Sequence, residues 1–115
     1  MSDDCLFCKI IAGEIPSEKL YEDESAYAFK DINPAAPHHF LVIPKKHIPT
    51  VNDIAEEDKE LMGHLLRVAA KLAKENGVDQ KGYRCVINVN RDALQQVFHI
   101  HIHVIAGRQL GWPPG

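Results

Sequence analysis

The run Phe98-His99-Ile100-His101-Ile102-His103-Val104 alternates apolar and imidazole side chains at every position, and a period of two is the period of a β-strand. Successive strand side chains point to opposite faces. A strand over residues 97–105 therefore turns Phe98, Ile100, Ile102 and Val104 toward a core and His99, His101 and His103 to the other side. Alternate strand residues lie about 6.6 Å apart, which separates the backbones of His99 and His103 by about 13 Å. Three rings so spaced do not gather around one small ion unaided. They line a groove in which one nitrogen attacks while its neighbours hold an extended anionic group.

An inert strand face would carry Lys, Glu or Thr, yet this one carries three of the seven histidines of the chain. Two chemistries use such a face. A His-x-His pair supplies two zinc ligands. Imidazole, with an unperturbed pKa of about 6.5, is also largely neutral at pH 7 and forms covalent intermediates. The nucleophile reading accounts best for three rings in a row.

The remaining segments predict the frame around this strand. Residues 6–12 form a short helix with Phe7, Ile10 and Ile11 on one side and Gly13 as its stop. Two short strands, 20–22 and 26–29, flank the polar turn Asp23-Glu24-Ser25, and Phe40-Leu41-Val42-Ile43 reads as a buried strand ended by Pro44. Asp53-Ile54-Ala55-Glu56 has capping-box spacing, and Leu61, Leu65, Val68, Ala69 and Leu72 then recur at helical period until Gly77. Residues 83–89, with Cys85 as a small buried hydrophobe, form a strand before the polar loop 90–93. Most connections are too short for parallel crossovers. The expected fold is α+β: a five-stranded, mainly antiparallel sheet with one long helix and a short N-terminal helix, in a single domain over residues 1–115.

The formal net charge of −3 across 115 residues lacks the basic footprint of polynucleotide binding, and no apolar run approaches the roughly 20 residues of a membrane span. The acidic start Met1-Ser2-Asp3-Asp4 is unlike a secretory signal, and three cysteines make no disulfide framework, so the expected compartment is the cytosol. Lys45-Lys46 reads as a solvated turn, and His64 as a polar-face or interface residue of the long helix.

Several stretches resemble one family together. The run His99-Ile100-His101-Ile102-His103 is similar to the signature of the histidine triad superfamily, and Cys5-Leu6-Phe7-Cys8, Gly13-Glu14-Ile15-Pro16, Phe29-Lys30-Asp31-Ile32-Asn33-Pro34, the block 40–47 and Trp112-Pro113-Pro114-Gly115 resemble its nucleotide-binding, protein kinase C interacting protein-like branch. The resemblance implies a HIT-like fold, a homodimer, and hydrolysis of purine nucleoside phosphoramidates or related mixed anhydrides. It implies His101 as the nucleophile that becomes nucleotidylated, His103 as a phosphate contact, and His99 and His47 as supports of the nucleophile and its proton traffic. Metal is not required for that chemistry.

By the same resemblance Asp31 accepts the ribose hydroxyls beside Ile32, whereas its residues alone also fit a turn before Asn33-Pro34. Asn88 matches a phosphate or ribose contact, and Gln95 and Gln96 precede the histidines where relatives surround the phosphate. Many relatives carry Gly-Gly where this chain has Ala93-Leu94, and leucine resists the positive φ that glycine accepts; Leu94 and Gln96 therefore bear on the leaving group. Trp112 matches an aromatic that reaches toward the partner subunit's site. Cys5 and Cys8 have zinc-ligand spacing, and the resemblance implies His47 and His99 as the completing pair of a structural zinc site; as residues alone they also fit small half-buried thiols. Alternative activities are a nucleotide-dependent interaction protein, a dinucleoside polyphosphate hydrolase, and a zinc-dependent hydrolase.

Overall fold

The computed structural model describes residues 4–115, so the reading of the start Met1-Ser2-Asp3 lies outside the described residues. Five strands form one sheet in the order β1-β2-β3-β5-β4: β1 Lys19–Glu22, β2 Ala26–Lys30, β3 His38–Pro44, β4 Tyr83–Val86 and β5 Ile102–Ala106. All four pairings are antiparallel. Helix α1 covers Leu6–Ile11 and helix α2 covers Lys59–Glu75. No helix among the described residues is long and apolar enough to cross a membrane.

The two helices cover opposite faces of the sheet. On one, Leu65, Val68, Ala69 and Leu72 of α2 pack on Ala26, Ala28, Phe40, Val42, Ile102 and Val104. On the other, Phe7 and Ile10 of α1 pack on Tyr27, Phe29, Leu41 and Ile43. The inner strands are therefore buried on both sides, which explains their continuous apolar runs. Cys5 caps α1 by accepting the Cys8 N–H on Sγ at 3.3 Å, and Gly13 leaves the helix with φ of 81°.

The start of α2 differs from the expected capping box. Asp53 instead serves Thr50: its Oδ2 accepts the Thr50 N–H at 3.1 Å while Thr50 Oγ1 accepts the Asn52 N–H at 3.0 Å, closing a separate 3₁₀ turn. A second such turn, Glu56–Asp58, leads into α2, with Asp58 Oδ2 accepting the Ala55 N–H at 2.9 Å. Cys85 is exposed, against expectation, because α2 lies over β2 and β3 and stops short of the edge strand β4.

The histidine strand is also shorter than predicted. Only residues from Ile102 onward pair with β3, where Val42 is opposite Ile102. Two positions on, Pro44 has no N–H for a ladder bond, and its carbonyl accepts the ring N–H of His99 at 2.7 Å. The Ile100 N–H turns instead to the Ile48 carbonyl at 2.6 Å. Residues 97–101 consequently leave the ladder and bend, and Phe98 is exposed, while Ile100 stays buried.

His64 ties α2 to the first hairpin through Asp23, whose Oδ2 lies 2.6 Å from His64 Nε2 and accepts the Tyr21 hydroxyl at 2.8 Å. Partial burial pushes the Asp23 carboxyl up, but hydrogen bonds from the Ser25 and Ala26 N–H groups, Tyr21 and His64 outweigh it and hold the group well below the usual carboxylate range. A depressed folded pKa contributes stability above the unfolded value of about 4 and loses it as pH falls below that. Asp23→Asn should therefore lower the melting temperature at pH 7 and flatten its fall between about pH 5 and about pH 3. Parallel melting curves for the two proteins across that range would contradict it.

Candidate active site

The site grows from one row across the α1 face of the sheet. Antiparallel register sets Phe29 opposite Leu41, Leu41 opposite His103, and His103 opposite Val86. Above this row opens a cavity of about 470 Å³, with an apolar wall that includes Leu6, Phe7, Ile10 and Ile15 and polar groups from Asp31, Asn88, Gln96, His101 and His103. Its size suits a nucleotide-sized ligand. An apolar wall meeting a few convergent polar groups is the usual build of such a pocket.

His101 is buried in its surroundings but lines this cavity. Its Nδ1 lies 2.8 Å from the His99 carbonyl oxygen. A carbonyl can only accept, so Nδ1 carries the proton and Nε2 keeps its lone pair. Desolvation pushes the pKa of His101 down, which keeps the ring neutral and nucleophilic at pH 7. The edge-on contact of Phe7, with ring centroids 5.0 Å apart, holds its orientation.

His39, which the sequence reading passed over, completes the site. The Ala35 N–H donates to His39 Nδ1 at 2.9 Å, leaving the proton on Nε2, and Nε2 donates to His103 Nδ1 at 2.9 Å. His103 is thereby required to carry its own proton on Nε2. Asp31 Oδ2 stands 3.4 Å from His39 Nε2 on the other side. Burial, then the neighbouring His101 and His39, push the pKa of His103 down to about 4, so the ring is a neutral donor near pH 7. Removing the ring that fixes its tautomer should misplace that donor: His39→Ala is expected to lower kcat by about 100-fold, with a smaller change in KM. His39→Gln, whose amide can donate to His103, should recover part of the loss, and a kcat for His39→Ala equal to that of the parent would remove His39 from the site.

The structure takes His47 away from the nucleophile. Its Nδ1 lies 3.4 Å from Cys8 Sγ and 3.3 Å from His99 Nδ1, while Cys5 Sγ and Cys8 Sγ lie 3.3 and 3.5 Å from the same His99 nitrogen. Four donor atoms thus converge, all within 4.8 Å of one another. Tetrahedral zinc with bonds of about 2.3 Å to sulfur and about 2.05 Å to nitrogen spaces its ligands about 3.3–3.6 Å apart across S–N and N–N edges, so this cluster is the right size for it. The ring N–H of His99 is already given to Pro44, so its Nδ1 lone pair is free. Desolvation lowers the pKa of His99 to about 4, and the ring is 0% exposed. His99 reaches the reaction centre only through its backbone carbonyl.

The other expected site residues divide. Asp31, Ile32, Asn88, Leu94 and Gln96 line the cavity together with His101 and His103. Gln95 does not: its buried side chain accepts the Asn90 N–H at 2.9 Å and donates to the Pro49 and Val97 carbonyls at 2.8 and 3.0 Å. Trp112 is 81% exposed, with the Arg84 guanidinium 5.9 Å from its ring centroid, and does not line the cavity of its own chain. Lys45 pairs with Glu22 and Lys46 with Glu57 and Asp58, in keeping with a solvated turn.

The HIT domain family profile matches residues 12–110. The chain belongs to the HIT family. This HIT domain is 47% identical over 111 residues to the purine nucleoside phosphoramidase of Escherichia coli (strain K12), a match that covers 96% of the chain and 93% of that protein. The crystal structure of a HIT family hydrolase from Legionella pneumophila Philadelphia 1 superposes on it with a TM-score of 0.96 at 53% identity, covering 97% of this chain and all (100%) of that one. A histidine triad protein from Clostridium difficile gives a TM-score of 0.93 at 47% identity over 96% of each chain. The α+β fold expected from the sequence is the fold of these HIT proteins.

Proposed function

We propose that this HIT protein hydrolyses purine nucleoside phosphoramidates through a nucleotidyl-His101 intermediate. The observation that carries the reading is the His101 ring, with Nδ1–H held by the His99 carbonyl and a bare Nε2 lining a nucleotide-sized cavity. Support comes from the near full-length likeness to the phosphoramidase of Escherichia coli.

In the proposed reaction the Nε2 lone pair attacks the α-phosphorus. The P–N bond breaks, its electron pair stays on nitrogen, and the nitrogen takes a proton from solvent and leaves as the amine. Positive charge gained by the His101 ring is met by the His99 carbonyl through Nδ1–H, a fixed dipole aimed where charge develops. His103 Nε2–H, set by His39, donates to a phosphate oxygen. Water then attacks phosphorus and releases a proton to solvent, the P–Nε2 bond breaks with its electron pair returning to the ring, and the monophosphate leaves a neutral ring behind. Asp31 accepts the ribose hydroxyls and the apolar wall holds the purine.

Three further readings belong to this proposal. Cys5, Cys8, His47 and His99 hold a zinc ion, which supplies a structural cross-link and takes no part in the chemistry. The chain works as a homodimer, joined along the edge strand β4, where Cys85 and Ile87 are exposed and backbone groups await a partner; Trp112 then reaches the partner's cavity. Thiolate ligands need a reducing compartment, which favours the cytosol. Incubation with an adenosine phosphoramidate, a quench in denaturant at alkaline pH, where a bond from phosphorus to imidazole survives, and mass spectrometry should find an adenylyl group on the peptide containing His101. Modification of any other residue, with His101 free at every time point of rapid turnover, would reject the mechanism.

A further inference from the structure

The cavity has two chemically distinct ends, and the sheet order says which is which. Adjacent strands lie about 4.8 Å apart, and His103 sits on β5 between β3 and β4. Asp31 and Ile32 follow β2, two strands away on one side, next to the apolar wall from α1. Asn88 follows β4, one strand away on the other side, and Leu94 belongs to the turn beyond it. With the nucleoside at the α1 end and phosphorus over His101 and His103, whatever departs from phosphorus faces the end built by Asn88, Leu94 and Gln96.

Leu94 is unusual at that end in two independent respects. Its backbone is left-handed, with φ of 63° and ψ of 40°, a region a branched aliphatic residue seldom occupies. Leu94 is also one of the residues that line the cavity, and it remains 74% exposed. The conformation is imposed from both sides: the Leu94 N–H donates to the Arg91 carbonyl at 3.0 Å, and the next residue, Gln95, is clamped to Asn90, Pro49 and Val97. A strained backbone at the rim of a substrate cavity, carrying an uncovered apolar side chain, points to a ligand-facing role.

We propose that Leu94 is a specificity-determining residue of the leaving-group end, and that it selects phosphoramidates whose amine carries an apolar aryl or alkyl substituent over those whose amine is polar. This rests on the phosphoramidase reading above. Covering the leucine with such a substituent removes apolar surface of both partners from water, whereas a hydroxyl or carboxylate there gains nothing from it.

The test compares kcat/KM for the adenosine 5′-phosphoramidates of phenethylamine and of ethanolamine, two amines of nearly equal basicity. The parent protein should favour the phenethylamine substrate. Leu94→Asn keeps a residue that tolerates the left-handed region and removes the apolar surface, so the ratio should fall by on the order of tenfold. Titration with adenosine monophosphate reports that the variant is folded; if it does not bind, Leu94→Gly, which accepts the same backbone without strain, carries the comparison. A parent ratio near one, or a variant ratio within twofold of the parent, overturns the role of Leu94 while leaving the phosphoramidase reading intact. Failure of the parent to turn over either substrate overturns both.

Discussion

Replacing His101 by Asn is expected to abolish turnover of nucleoside phosphoramidates, with kcat falling by on the order of 10⁴-fold or more, as is usual when a covalent nucleophile is removed. Asn is the informative choice because its amide N–H can still satisfy the His99 carbonyl that now accepts from Nδ1 at 2.8 Å. Truncation to Ala would leave that buried acceptor without a partner, at a cost of about 1–3 kcal/mol, and confuse loss of chemistry with loss of structure. The nucleoside end of the cavity, built by α1 and Asp31, is untouched. Binding of adenosine monophosphate, followed by calorimetry, should accordingly persist within a few fold. Hydrolysis by the Asn variant at the parental rate would remove His101 as the nucleophile.

The second large effect concerns the thiol and imidazole cluster. Protein purified without added metal is expected to carry about one zinc per chain, as a four-ligand structural site does, and Cys8→Ser or His47→Ala should reduce this below about a tenth. An ion bound at about a thousand times its dissociation constant stabilises the native state by about 4 kcal/mol, and each kcal/mol shifts the melting temperature of a domain this size by about 2–8 °C. A fall of more than about 10 °C should therefore accompany metal loss in either variant. The cluster joins α1 to residues 47 and 99, far apart in the chain. Parent protein that carries no zinc as purified, or that melts at the same temperature as either variant, would sink the zinc reading.

Much of this architecture was legible because local signals and packing agree. Gly13 and Gly77 stop α1 and α2 where their positive φ is needed, and α2 buries the face that its periodicity marks. The alternation of histidines brought His101 and His103 to the cavity, but not His99, and with the wrong extent. Period two describes His103 on β5, but His99 and His101 lie on a bent segment, because Pro44 of the neighbouring strand lacks the N–H that pairing would require. His39 was missed, since a second histidine beside His38 looks like ordinary polar strand decoration. Its signal was there in principle: two residues before Leu41, it points to the cavity face, opposite Ile105 on the strand that carries His103. The resemblance put His47 beside the nucleophile and also in the metal set, and the geometry keeps it with the thiols and His99. Gln95 was read toward the phosphate, because nothing in a sequence announces that a side-chain amide will spend its hydrogen bonds on the backbone of Pro49, Asn90 and Val97.

That amide has a practical meaning for anyone wishing to change what this protein accepts. Both carbonyl contacts of Gln95, to Pro49 and Val97, lie outside the turn it follows, so a single planar group works as the rivet between the tip, residues 91–94, and a rigid base. Residues 91–94 can be rewritten in length-preserving libraries with the histidines behind them held still, provided position 95 is left alone. The molecule offers a detachable fingertip on a fixed hand.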